Sequence, residues 1–140
     1  MIGTLVITHG PLAKALLEAA ELVVGEIPQV RAVGLEQGEG PEALDCQVEA
    51  ALADLDHREG LLFLVDLPGG TPCNLGLARS LQGPAEVVTG VNLSMVVKLK
   101  ALIAEGMPLP ELAQAVAGYG ARGVSVATER LRLLQREGGA

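Results

Sequence analysis

Leu61-Leu62-Phe63-Leu64-Val65-Asp66-Leu67-Pro68-Gly69-Gly70-Thr71-Pro72-Cys73-Asn74 runs from an apolar block through a carboxylate into a glycine turn. Leu61 to Val65, with Gly60 before it, suits a strand buried on both faces. Pro72 then suits the first turn of a helix. The first N–H groups of a helix have no partner inside it, so such a turn offers donors to an anion. Thr4-Leu5-Val6-Ile7-Thr8-His9-Gly10-Pro11 has the same grammar, an apolar run ending on a titratable residue, a glycine and a proline.

The remaining chain continues the alternation. Residues 2–8 read as a strand, and a helix runs from Pro11 to about Gly25 with Leu12, Leu16, Ala19 and Val23 on its apolar face. Val30 to Val33 is a second, weaker strand. Pro41 opens a helix with the stripe Leu44, Val48, Ala51 and Leu55. The helix after Leu61–Val65 stops near Gly83-Pro84, and Glu86 to Thr89 is a fourth strand. Asn92 is placed to cap the next helix. Pro108 and Pro110 open a further short helix, Gly123 to Ala127 is a last strand, and Thr128 caps a polar terminal helix. Alternating strands and helices, with continuously apolar strands, predict an α/β fold whose mainly parallel sheet is covered on both faces. Without a linker, repeat or low-complexity segment, residues 1–140 read as one domain.

Composition narrows the function. With 49% hydrophobic residues but one Phe, one Tyr and no Trp, the core must be aliphatic, and stacking platforms for single-stranded nucleic acid are absent. Seventeen acidic against ten basic side chains, a formal charge of -7, oppose nucleic-acid backbones and anionic membranes. Cys46 and Cys73 match no metal-ligand spacing and read as reduced thiols in a cytoplasmic protein. No secretion signal opens the sequence, and no apolar run approaches the roughly 20 residues that span a bilayer. The glycine patterns of Rossmann and P-loop nucleotide sites are missing, as is the serine elbow of a hydrolase.

Ligand crevices in open α/β sheets lie beyond the carboxyl ends of the strands. If the first and third strands are neighbours, His9 and Asp66 share that rim. A carboxylate on one ring nitrogen fixes the tautomer and leaves the other lone pair free, which makes an imidazole a nucleophile near neutral pH. Thr71 and the N–H groups of Gly69, Gly70 and Thr71 can then hold phosphoryl oxygens. Asn74 either joins that phosphoryl-binding set or braces its own helix. Blander duties compete. A lone histidine at a strand end usually serves structure, Asp66 is suited to capping its turn, and Cys73 is suited to packing. His57 falls at a helix end and reads as solvated.

Taken in order, the Thr8-His9-Gly10 start, the Leu62–Asp66 strand, Gly69-Gly70-Thr71-Pro72-Cys73-Asn74 and Gly90-Val91-Asn92-Leu93-Ser94-Met95 resemble one family. It is the IIA component of the mannose-type sugar phosphotransferase system, and the likeness covers nearly the whole chain. The resemblance implies a three-layer sandwich of four parallel strands plus an antiparallel fifth, in the order 2-1-3-4-5. It also implies a homodimer that exchanges the last strand. His9 falls on the family's phosphorylated histidine, Asp66 on its partnering aspartate, and Thr71 on a hydroxyl position where serine is common. The implied activity is protein-to-protein phosphoryl transfer through phosphohistidine, from the carrier HPr to a separate IIB component, without metal or cofactor. A regulatory module phosphorylated at His9 without onward transfer, a dihydroxyacetone-kinase-type phosphocarrier, and a small-anion-binding protein are the alternatives. The Gly69–Asn74 segment favours the sugar-transport branch.

Overall fold

Along β1 (Gly3–His9) successive side chains point to opposite faces of a sheet, and both faces are buried up to Thr8. Val6 packs toward one apolar cluster, Leu5 and Ile7 toward another. The computed structural model describes residues 1–138. After β1 come α1 (Leu12–Val24), β2 (Val30–Leu35), α2 (Pro41–Leu52), β3 (Leu61–Val65) and α3 (Thr71–Ser80). β4 (Ala85–Val88), α4 (Leu93–Glu105), α5 (Leu109–Arg122) and α6 (Ala127–Gly138) complete the order. The four strands are all parallel and run β2-β1-β3-β4 across the sheet.

Three layers result. Val6, Leu62, Leu64 and Val88 meet Ala13 and Ala20 of α1, Val96 and Leu99 of α4, and Leu112 and Val116 of α5. On the other face Leu5, Ile7, Phe63 and Val65 meet Leu44 and Val48 of α2 and Cys73 of α3. Arg79 of α3 ties those last two helices together, reaching Asp45 at 2.7 Å and Glu49 at 2.6 Å on α2. Among the described residues no helix is long and apolar enough to cross a membrane.

Three expectations need correction. The fifth, antiparallel strand is not formed: residues 124–126 are irregular, with Val124 77% and Val126 58% exposed. A strand forms only beside a ladder. This segment leaves α5, which packs on the face of the sheet, and none of the four strands pairs with it. The helix before it is not short but spans 14 residues. On α1 the apolar face is shifted: Ala13, Leu16, Leu17, Ala20 and Val24 pack inward, while Leu12 and Val23 are exposed.

The ends of α4 and α6 contrast. Asn92 caps α4 as expected, its Oδ1 accepting the Met95 N–H at 3.1 Å, while its Nδ2 donates to Gly120 O. Thr128, expected as a cap, instead lies inside the first turn of α6, which starts at Ala127, and none of the helix's residues is buried. Near the end of α5, Tyr119 carries Lys98 against its ring at 4.5 Å and Arg122 at 4.8 Å.

One buried hydroxyl is a defect. Thr4 is fully buried and its Oγ1 has no hydrogen-bond partner. Thr4→Val keeps the branched shape and removes the unpaired group, so it should stabilise the fold by about 1 kcal/mol in denaturant unfolding.

Candidate functional site

β1 and β3 are adjacent, paired up to Ile7 and Val65. Just beyond that last pair, Asp66 turns its carboxylate across to His9. Asp66 Oδ2 accepts the His9 backbone N–H at 2.8 Å and lies 2.8 Å from His9 Nδ1. Asp66 Oδ1 accepts the Leu67 N–H at 2.9 Å. Burial by itself would raise the Asp66 pKa, but the hydrogen bonds from His9 and Leu67 outweigh it and hold the carboxyl below its ordinary value. The group therefore stabilises the fold above about pH 4, and that contribution fades as pH falls through the lowered value. Consequently the stability difference between the wild type and Asp66→Asn should shrink on acidification from about pH 6 to about pH 3 in chemical unfolding.

An ionised carboxylate can only accept, so His9 Nδ1 carries the proton and Nε2 keeps its lone pair. The imidazole is presented for use: the His9 side chain is 47% exposed, that of Asp66 only 12%. Gly70 lies against the free edge of the ring. A Cβ added there would stand 3.2 Å from His9 Cε1 and 3.7 Å from Nε2, so a side chain at position 70 presses on the ring at Cε1 and only touches Nε2.

Gly70 also precedes the first residue of α3. The N–H groups of Gly69, Gly70 and Thr71 donate no hydrogen bond to the described residues, and Pro72 has none to offer. These donors sit at the positive end of α3, and Gly70 brings that end against the His9 ring. Thr71 and Asn74 stand slightly apart: both line a groove of about 540 Å³ between α2 and α3, with Glu42, Asp45, Cys46 and Leu75. The Asn74 N–H closes the first turn of α3 on Gly70 O at 2.9 Å, and its exposed side chain makes no hydrogen bond with His9 or Asp66. The site thus unites His9, Asp66 and Gly70, with Gly69 and Thr71 at its edge and Asn74 facing the neighbouring groove.

His57 precedes β3 and so lies at the opposite end of the sheet, exposed. Cys73 is buried in the core, Cys46 exposed, and neither is paired. Among the described residues no group of three His, Cys, Asp or Glu side chains is placed to hold a metal ion. Two contributors escaped the sequence reading. The Leu67 N–H on Asp66 is a backbone feature with no residue signature. The Thr8 hydroxyl, which accepts the Ala13 N–H, was legible only as a threonine next to the histidine.

Comparison with known proteins supplies the family. The pattern described as "PTS system fructose IIA component" matches residues 3–117. The mannose-specific EIIAB component of Escherichia coli K12 is 39% identical over 98 residues, 69% of this chain. That match takes in 30% of the relative, so the chain spans less than a third of its length. The fructose-specific EIIA component of Bacillus subtilis 168 is 30% identical over 132 residues, 94% of this chain and 90% of the relative. The crystal structure of a phosphotransferase system EIIA component from Streptococcus agalactiae has the same fold, with a TM-score of 0.83 over 92% of this chain and 99% of that one at 23% identity. Sequence and fold agree, and this chain belongs to the mannose/fructose family of EIIA components of the sugar phosphotransferase system.

Proposed function

We propose that the protein is a phosphocarrier that takes a phosphoryl group from phospho-HPr onto His9 Nε2 and passes it to a separate IIB component. The observation that carries this reading is the 2.8 Å contact between His9 Nδ1 and Asp66 Oδ2, because it leaves Nε2 as the free nucleophile beside unpaired backbone donors. In the transfer, the Nε2 lone pair forms the new N–P bond as the N–P bond of the donor imidazole breaks, returning its electron pair to that nitrogen. The His9 Nδ1 proton stays in place, and Asp66 offsets the positive charge that grows on the ring. The N–H groups of Gly69, Gly70 and Thr71, with the Thr71 hydroxyl, hold the phosphoryl oxygens.

Asp66 also works against the product. A carboxylate beside a phosphohistidine repels its charge and keeps the group transferable, which suits a relay better than a sink. The exposed His9 and the bare Gly10, Gly69 and Gly70 leave room for two protein partners in turn. As a cytoplasmic domain spanning residues 1–140, the chain needs no metal or cofactor for this chemistry. We further propose a homodimer in which the irregular segment 123–126 and the wholly exposed α6 pack on the second copy, supported by the exposure of Val124, Val126, Leu131 and Leu134.

Incubation with phosphoenolpyruvate, enzyme I and HPr from its own system tests the central claim. One acid-labile phosphate per chain, chased onto a IIB component, is the expected result. A protein that stays unlabelled under conditions that phosphorylate HPr overturns the reading, and labelling without any chase would leave a regulatory module instead.

A further inference from the structure

The turn that carries His9 is held by a second side chain, one whose hydrogen bond goes to neither Asp66 nor the glycine turn. Thr8 is fully buried, and its Oγ1 accepts the Ala13 N–H at 2.8 Å. The N–H groups of the first turn of α1 have no partner within the helix. Pro11, just before the helix, supplies no side-chain cap. Ala13 is 1% exposed, so water cannot take the place of the missing acceptor. Thr8 does that work from β1, reaching across His9, Gly10, Pro11 and Leu12.

Three hydrogen bonds therefore define the loop. The His9 N–H binds Asp66 beyond β3, the Gly10 N–H binds Leu35 O of β2 at 2.8 Å, and the Ala13 N–H binds Thr8. One side of the loop is packed, the Gly10 carbonyl lying directly on Gly34 of β2, and the other side is open. Gly10 holds a left-handed conformation at φ 60 with nothing within 4 Å of a would-be Cβ. Only the Thr8 bond spans the loop from one end to the other, so it sets the distance between the end of β1 and the start of α1. The imidazole rides on the segment between.

We infer that Thr8 is a positioning residue for phosphoryl transfer, its buried hydroxyl fixing the His9 backbone so that Nδ1 meets Asp66 and Nε2 faces the α3 N-terminus. The inference rests on the reading of His9 as the phosphoryl acceptor. It assigns Thr8 no contact with phosphate. A hydroxyl that merely capped α1 would affect melting and nothing else.

The test compares Thr8→Val, which keeps the shape and loses the acceptor, with Thr8→Ser, which keeps the acceptor. Phosphorylation is followed with phospho-HPr and with phosphoramidate, a small donor that needs no docking, and the His9 tautomer by nitrogen NMR. Thr8→Val should lower kcat by about tenfold at unchanged KM for phospho-HPr, since misplacing a reacting group by a fraction of an ångström costs rate and not affinity. Labelling by phosphoramidate should fall by the same factor, and the Nδ1–H tautomer should lose population. Thr8→Ser should restore both rate and spectrum. A Thr8→Val protein with wild-type transfer and an unchanged His9 spectrum overturns the inference, whatever its melting temperature. Thr8→Ala also lacks the acceptor and gives the same comparison if the valine variant does not fold. Should the wild type accept phosphate from neither donor, the phosphocarrier reading fails, and the ring spectrum alone still decides whether Thr8 positions the imidazole.

Discussion

His9→Ala should take up no phosphate from phospho-HPr, a loss of at least about 10⁴-fold, because no neighbouring group can replace the nucleophile. The other histidine, His57, lies at the far end of the sheet. The variant should nevertheless fold. The side chain it loses is about half exposed, and Asp66 keeps two backbone donors, the N–H groups of residues 9 and 67. A stability change below about 1 kcal/mol is expected in thermal unfolding, the usual range for a solvent-facing polar contact. An acid-labile adduct that persists in this folded variant would place the chemistry elsewhere.

Asp66→Asn should slow phosphorylation on the order of 10²-fold without abolishing it, the usual scale for losing a group that manages a proton. The amide keeps the size of the carboxylate, and its oxygen can still accept the backbone N–H of His9. What changes is the command over the ring. An amide can turn either its oxygen or its NH₂ toward Nδ1, and in the second case the proton moves to Nε2 and occupies the nucleophilic lone pair. Loss of the negative charge also removes the group that offsets the imidazolium charge during transfer. Rates measured by quench-flow with phospho-HPr, paired with nitrogen NMR of the His9 ring, check both halves. An unaltered rate with an unaltered tautomer would reduce Asp66 to a turn cap.

Much of this was legible in the residues. Leu61–Val65 and residues 2–8 read as buried strands because branched apolar residues run unbroken between glycine and a polar stop, and both formed. The convergence of His9 and Asp66 followed from a parallel topology whose crevice lies beyond the strand ends, and the register of β1 on β3 delivers it. Asn92 was readable as a cap because a short amide side chain before an apolar helix has one common use.

The misreadings have specific causes. The buried face of α1 slipped because periodicity alone does not say which of two adjacent stripes meets the sheet. Here two alanines, Ala13 and Ala20, take the close contact that larger residues were assigned. Val124 to Val126 has strand composition, but composition cannot supply a neighbour. A strand is a relation between two segments, and among the described residues no strand pairs with this one.

Tyr119, flanked by Lys98 and Arg122, has a practical value. With one tyrosine and no tryptophan in the chain, ultraviolet emission comes essentially from this single ring. It stands in the last turn of α5, just before the segment that leads to α6, with a cation near its face. Anything that draws Lys98 or Arg122 away, whether a second copy or a visiting protein, changes the environment of that lone fluorophore. The unmodified protein thus carries its own optical reporter at the point where its C-terminal helix departs.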